Sequence, residues 1–186
     1  MRKLVSTVFM SLDGVIREPG DWQGPFFEEE AARIARERLF ASDALLIGRG
    51  TYEVFAGAWP GATDEGDGFV DRINSIPKYL VSTTMDSGTW NPTTVISKDV
   101  EAEVRKLKEQ PGQDILIYGV GQLAHTMLRA GLVDVFEVWV HPVMLGDAKP
   151  DDLLLREGTM KSFTLTSTET TPAGIVVCVY EPKSDN

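Results

Sequence analysis

Residues 46–53 read LIGRGTYE: an apolar run stops at Gly48 and continues as Arg49, Gly50, Thr51, Tyr52 and Glu53. A strand that ends at glycine and feeds a helix leaves the helix's first N–H groups without partners, and such groups bind phosphate. Arg49 adds a planar cation able to fork onto phosphate oxygens, and Thr51 adds a hydroxyl. A plain strand–helix turn with a surface arginine would read the same way, so the octet alone leaves both readings open. A second turn, YGVGQLA at 118–124, fits G-x-G-x-x-A through Gly119, Gly121 and Ala124. Its small residues suit either a backbone approach to pyrophosphate or close strand–helix packing. Glu137 stands near the spacing of a ribose-binding acid, but it falls inside a strand, and no further strand–helix–strand unit completes a dinucleotide half. The match at Glu137 is therefore read as a decoy.

Two more stretches carry polar chemistry. Ser82, Thr83 and Thr84 close the run KYLVSTT (78–84). Hydroxyls at the end of a parallel strand lie where open α/β sheets bind ligands, although β-propensity and turn formation by themselves account for them. The stretch SLDGVIREPGDWQGP (11–25) holds Asp13, which can anchor a ligand, relay a proton or close an Asx turn. Trp22 in the same stretch can cover a planar ligand or pack the loop.

Other chemistries are excluded by type and spacing. His125 and His141 lie far apart and lack the Cys or carboxylate neighbours of a metal site. Neither has a G-x-S-x-G partner for nucleophilic catalysis. Gly-rich turns without a Lys-Ser or Lys-Thr pair are not a P-loop. The only cysteine, Cys178, sits in an alternating apolar strand and reads as a small core residue, so no internal disulfide forms and a cytoplasmic location is the default expectation. The net charge of −10 disfavours nucleic acid and anionic membrane as bulk partners, yet leaves room for a small phosphorylated ligand. No run approaches the ~20 apolar residues of a membrane span. The N-terminal MRKLVSTVFMSLDGVI is broken by Ser6, Thr7, Ser11 and Asp13 and reads as a first strand rather than a signal peptide.

The elements that must carry these residues follow from periodicity. Strands are expected at 3–10, 43–48, 78–84, 93–97, 114–119 and 134–145, the last long and nearly continuous. Helical spacing marks 26–41, with Pro25 suited to its first position and Glu28, Glu29 and Glu30 as its solvated first turn. Asp99 can cap a helix bearing Val100, Val104 and Leu107, and a helix at 121–130 closes at Gly131. Two extended runs around PAG form a C-terminal hairpin, and the segments 59–69 and 145–160 read as exposed connections. The expected fold is a three-layer α/β domain over 1–186: a mostly parallel central sheet with helices on both faces and an antiparallel C-terminal hairpin.

Taken in order, SLDGVI, LLIGRGTYE, KYLVSTT, ILIYGVGQLAHTMLRAGLVDVFEVWVHPVMLG and the hairpin resemble the dihydrofolate reductase fold. More closely, they resemble stand-alone relatives of the C-terminal reductase domain of bacterial bifunctional riboflavin-biosynthesis enzymes. The resemblance implies an NADPH-dependent reductase of a small heterocycle, similar to 5-amino-6-(5-phosphoribosylamino)uracil reductase. It places Gly48, Arg49 and Thr51 at the cofactor phosphates, and Ser82 and Thr83 by the adenosine 2′-phosphate. Gly119, Val120, Gly121, Gln122 and Leu123 would follow the pyrophosphate and nicotinamide. Asp13, as the catalytic carboxylate, and Trp22 would meet the small-molecule substrate. It also implies a homodimer. The segment LGDAKPDDLLL departs from the family's glycine-rich LGxG followed by a basic residue, which bears on binding of a phosphorylated pyrimidine. The alternatives are a non-catalytic dimeric module that binds NADPH or another ligand, and a pterin reductase of the dihydrofolate reductase type.

Overall fold

A computed structural model describes residues 1–64, 66–154 and 160–183. Thirteen helices and strands run β1 (Leu4–Met10), α1 (Glu29–Phe40), β2 (Ser42–Gly48), α2 (Arg49–Ala58), α3 (Phe69–Ser75), β3 (Lys78–Val81), β4 (Thr93–Ile96), α4 (Val100–Glu109), β5 (Asp114–Tyr118), α5 (Gln122–Arg129), β6 (Val135–Val140), β7 (Phe163–Thr170) and β8 (Val176–Pro182). They build one eight-stranded sheet of order β4-β3-β2-β5-β1-β6-β8-β7. The first six strands in that order are parallel, β8 runs antiparallel to β6, and β7 runs antiparallel to β8. This is the α/β architecture that the sequence leads one to expect.

Alternation along the central strands fills both faces, as a parallel sheet covered on two sides requires. Leu4, Val8, Leu46, Ile115 and Ile117 point to one side and pack against Val104 and Leu107 of α4 and Ala124, Met127 and Leu128 of α5. Val5, Leu45, Ile47 and Leu116 point to the other and meet Leu39 of α1, Tyr52 of α2 and Ile73 of α3. A smaller cluster joins Ala31 and Ile34 of α1 to Trp139 of β6 and Val177 of β8.

Several boundaries differ from the sequence reading, each for a local reason. The first helix starts at Glu29: Pro25 belongs to a 3-10 turn (Gly24–Phe26), and the Glu28 side chain accepts from the Glu30 N–H at 2.9 Å. Glu28 is thus a cap, and Glu30 pairs with Arg33, so only Glu29 of the three is fully exposed. Strand β3 ends at Val81 because Ser82 Oγ takes the N–H groups of Thr84 and Met85 into a turn. Strand β6 ends at Val140: the His141 N–H still reaches Met10, but Pro142 has none, and the chain turns to meet Leu12 through Val143. Asp99 occupies the N-cap of α4 in a left-handed conformation with no side-chain cap bond. Helix α3 was not foreseen; the Asp64 carboxylate gathers the N–H groups of Gly66, Gly68, Val70 and Asp71 ahead of it and over its first turn. Cys178 is half-buried rather than a core residue, since it lies on the next-to-edge strand. Of the segment 145–155, Leu155 lies outside the described residues.

Candidate functional site

Strands β2 and β5 are parallel neighbours, so the helices that follow them, α2 and α5, begin at the same edge of the sheet. Gly48 and Gly121 are their N-caps, both extended and neither supplying a side-chain cap. Each helix therefore presents its first-turn N–H groups without a side-chain acceptor, and each terminus favours negative charge. The two turns also touch. A Cβ placed on Gly48 would lie 3.8 Å from Leu123 Cβ, and one on Gly119 would lie 3.7 Å from Thr51 Oγ1. Gly119 is held at φ +79°, a conformation that other residues adopt only with strain. Around Gly50 and Gly121 nothing approaches a would-be Cβ within 4 Å. Val120 is buried and Leu123 half-buried, so these two offer a ligand their backbone, while Gln122 is exposed. The arrangement fits a diphosphate: two glycine turns side by side, with backbone donors from two helices and no carboxylate among the turn residues 48–51 and 119–123.

Arg49 leans from the first of these turns toward β3. Its Nε donates to Glu53 Oε1 at 2.8 Å and its Nη1 to Thr84 Oγ1 at 3.0 Å. Thr84 in turn lies 3.4 Å from Ser82 Oγ. The structure thus brings Arg49 to the 82–84 turn. It also changes the parts: Ser82 is buried and spends its oxygen on the turn, Thr83 is exposed, and Thr84 makes the contact to Arg49. Thr84 stood beside the chosen residues in the sequence, but only the pairing of β2 with β3 reveals its partner.

The loop after β1 is built differently. The Asp13 carboxylate accepts from Ser11 Oγ at 2.6 Å, from the Gly146 N–H at 2.8 Å and from the Leu145 N–H at 3.1 Å. The Ser11 hydroxyl first, and then the Gly146 and Leu145 N–H groups, hold its pKa down to about 2. Such a group stays ionised near neutrality and has no proton to give. Asp13 ties the 11–14 turn to the chain after β6; the proton-relay reading of this residue does not fit its surroundings. Trp22 donates from Nε1 to Arg17 O at 2.9 Å and sets its ring edge-on to His141, 5.2 Å between centroids. His141, discarded as a metal ligand on sequence, is fully buried at the end of β6 beside Phe9 and Phe26. Its only signal in the sequence was its place at the end of the last parallel strand.

Two grooves elsewhere on the molecule share no residue with these turns. One, of about 370 Å³, lies between α1 and β7–β8 and is lined by Arg38, Glu137 and Glu169. Glu137 there accepts from Arg38 Nε at 2.9 Å, Thr7 Oγ1 at 3.0 Å and Trp139 Nε1 at 2.8 Å. It is a buried, saturated ion pair on the sheet face, which is why it cannot serve as a ribose acid. The other, of about 460 Å³, lies near the start of β1, around Lys3, Asp134 and Lys183. Among the described residues no three His, Cys, Asp or Glu side chains gather to hold a metal ion. No described helix is long and apolar enough to cross a membrane.

Residues 2–177 match the model of the RibD C-terminal domain, and the chain belongs to that family. The chain is 32% identical to the uncharacterized protein YyaP of Bacillus subtilis over 140 residues, covering 74% of this chain and 73% of that one. A candidate riboflavin biosynthesis protein of Shewanella sp. PV-4 has the same fold, with a TM-score of 0.72 and 18% identity over 98% of this chain and 99% of that chain. So does the diaminohydroxyphosphoribosylaminopyrimidine deaminase/5-amino-6-(5-phosphoribosylamino)uracil reductase of Thermotoga maritima, with a TM-score of 0.68 and 15% identity. There the match covers 98% of this chain but 57% of the larger protein. The dihydrofolate reductase-like fold expected from the ordered motifs is the fold of this chain.

Proposed function

We propose that this member of the RibD C-terminal domain family is an NADPH-dependent reductase of a small nitrogen heterocycle. The substrate class is that of the aminopyrimidine named for the Thermotoga protein. The observation that carries the reading is the junction of the two glycine turns, Gly48 against Leu123 and Gly119 against Thr51, at the mouths of α2 and α5. In this reading the first-turn N–H groups of α2 and α5 hold the pyrophosphate, with Thr51 and Gly119 between them. Arg49 and Thr84 stand where a 2′-phosphate on the adenosine would add its charge, and Glu53 holds the guanidinium there. When bound, NADPH supplies a hydride from its nicotinamide; the chain's own task is alignment and exclusion of water. Asp13 serves as the anchor that sets the substrate-side loop, since it is ionised and fully occupied. The outer edge of β7, beyond which no strand lies among the described residues, is the surface on which we expect a homodimer, to be read by sedimentation velocity.

Titration of NADPH and NADH against intrinsic tryptophan fluorescence tests the reading. NADPH binding with a preference over NADH supports it, and absence of binding by either cofactor overturns it. A second reading, a ligand-binding module without turnover, draws on the occupied state of Asp13. It predicts NADPH binding with no oxidation in the presence of pyrimidines, pterins or quinones.

A further inference from the structure

The cover over the end of β1 and β6 has an unusual construction. No residue from Ile16 to Glu30 is fully buried, although the segment lies across a fully buried histidine. It consists of two 3-10 turns, Pro19–Asp21 and Gly24–Phe26, with no fully buried residue; half-buried Phe26 packs against the cluster of Ala31, Ile34 and Trp139. Glu18, at its entry, is held at φ 43°, in the left-handed region that a non-glycine residue occupies at some cost. The segment is tied at Arg17, whose Nη1 donates to Asp152 Oδ2 at 2.8 Å, and at Phe26; Trp22 lies between these two ties.

Beneath it, the His141 ring meets two backbone groups, of Trp139 and Met10, and keeps Nε2 without a hydrogen bond. Nδ1 meets Trp139 O at 3.0 Å; a carbonyl only accepts, so Nδ1 carries the proton and Nε2 is a lone-pair acceptor. Nε2 is buried with no hydrogen-bond partner. Burial also holds the imidazole's pKa below its ordinary value, which keeps the ring neutral and the acceptor free. On the cover itself, Gln23 Oε1 and Glu28 Oε1 are likewise buried without a partner. Buried acceptors without donors are costly, and native proteins keep few of them without a reason. Around His141 stand aromatic rings: Phe9 at 5.1 Å, Trp22 at 5.2 Å and Phe26 at 6.2 Å between centroids.

We propose that Trp22 holds the place of the substrate ring, and that a planar heterocycle bearing N–H groups displaces the indole and donates a hydrogen bond to His141 Nε2. His141 is then a specificity-determining residue: it selects donor-bearing rings over rings of the same shape without donors. For the class of guest the inference rests on the reductase reading above, but it is read without cofactor or turnover. No covalent step is involved. The indole swings out between the ties at Arg17 and Phe26, and its bond to Arg17 O breaks.

The test uses two probes of nearly equal shape, 2,4-diaminopyrimidine and 2,4-dimethylpyrimidine, with Kd measured by calorimetry on the full chain. The wild type is expected to bind the diamine about tenfold more tightly, because the dimethyl ring leaves Nε2 unpaired. His141→Phe keeps an aromatic ring and should bring the two probes within about twofold of each other. His141→Gln returns an acceptor near the position of Nε2 and should recover most of the preference. Trp22→Ala removes the competing indole and should tighten both probes by a common factor. Equal affinities in the wild type, a preference that survives His141→Phe, or affinities unmoved by Trp22→Ala would each overturn the proposal. NADPH is titrated in parallel. A histidine-dependent preference without NADPH binding would remove the reductase reading and leave this site standing. NADPH binding with no diamine preference would do the reverse.

Discussion

The two halves of the candidate site are made of different materials. On the β2–β5 side, the site is backbone: glycines at 48, 119 and 121, two uncapped helix starts, and one exposed arginine. On the β1–β6 side, it is side chains locked by partners more than a hundred residues away, Asp13 on Gly146 and Trp22 on His141. A backbone site accepts any ligand with the right charge and spacing, and it is ready before the ligand arrives. A side-chain site under a cover discriminates by shape and by hydrogen-bond sense, and it must open. The difference suits a division between a common cofactor and a particular substrate.

The comparison can be broken from either side. The largest effect is expected at neither half but between them. Glu137→Ala strands Arg38 on the sheet face and should cost about 3 kcal/mol in denaturant unfolding. It should leave the ratio of NADPH to NADH affinity unchanged; a changed ratio would return Glu137 to the cofactor. Next, Asp13→Ala releases the substrate-side loop and should lower kcat/KM for substrate roughly 100-fold while NADPH affinity holds, a misplacement effect rather than a lost proton. Equal losses on both sides would erase the division. Smaller again, Gly119→Ala forces a side chain onto a positive φ beside Thr51 and should weaken NADPH roughly tenfold, with the diamine probe untouched. Arg49→Ala should weaken NADPH by roughly fivefold and NADH hardly at all, since its guanidinium is half-exposed and screened. The last expectation concerns acid. Asp13 has its pKa lowered from 3.8 to about 2 in the folded chain, so its contribution to stability is complete above about pH 4 and is lost as the pH falls toward 2. Asp13→Asn should therefore flatten the stability profile in that window and nowhere else, as followed by circular dichroism.

The same division explains what could be read in the letters. Strand–glycine–helix spacing is local, so the turns at Gly48 and Gly121 and the mostly parallel character of the sheet were legible; the order of its strands was not. The hairpin was legible from its alternation. What distant contacts decide was not. The role of Asp13 stayed open because its partners Leu145 and Gly146 stand 132 and 133 residues away. His141 looked inert because its neighbours, Phe9, Trp22 and Phe26, are all remote in sequence. The strand 134–145 looked continuous because apolar runs do not announce where a register ends; Pro142 was the overlooked mark. Helix α3 hid behind a polar loop whose Asp64 gathers four N–H groups, a pattern with no periodicity.

The position of β1 in the sheet bears on how the chain is made. Leu4 and Val5 sit in the middle of the sheet, between Ile115 of β5 and Val135 of β6. Both partners are synthesised more than a hundred residues later, which at ~5–20 residues per second is a delay of roughly 5–20 seconds. During it, LVSTVFM is an uncharged, β-branched segment without a sheet to join, and such segments associate with one another. Arg2 and Lys3 stand directly before it. Until β5 arrives, those two cations are the segment's nearest guard against pairing with other nascent chains, and the late, non-local closure of the sheet makes slow folding the expected behaviour of this topology.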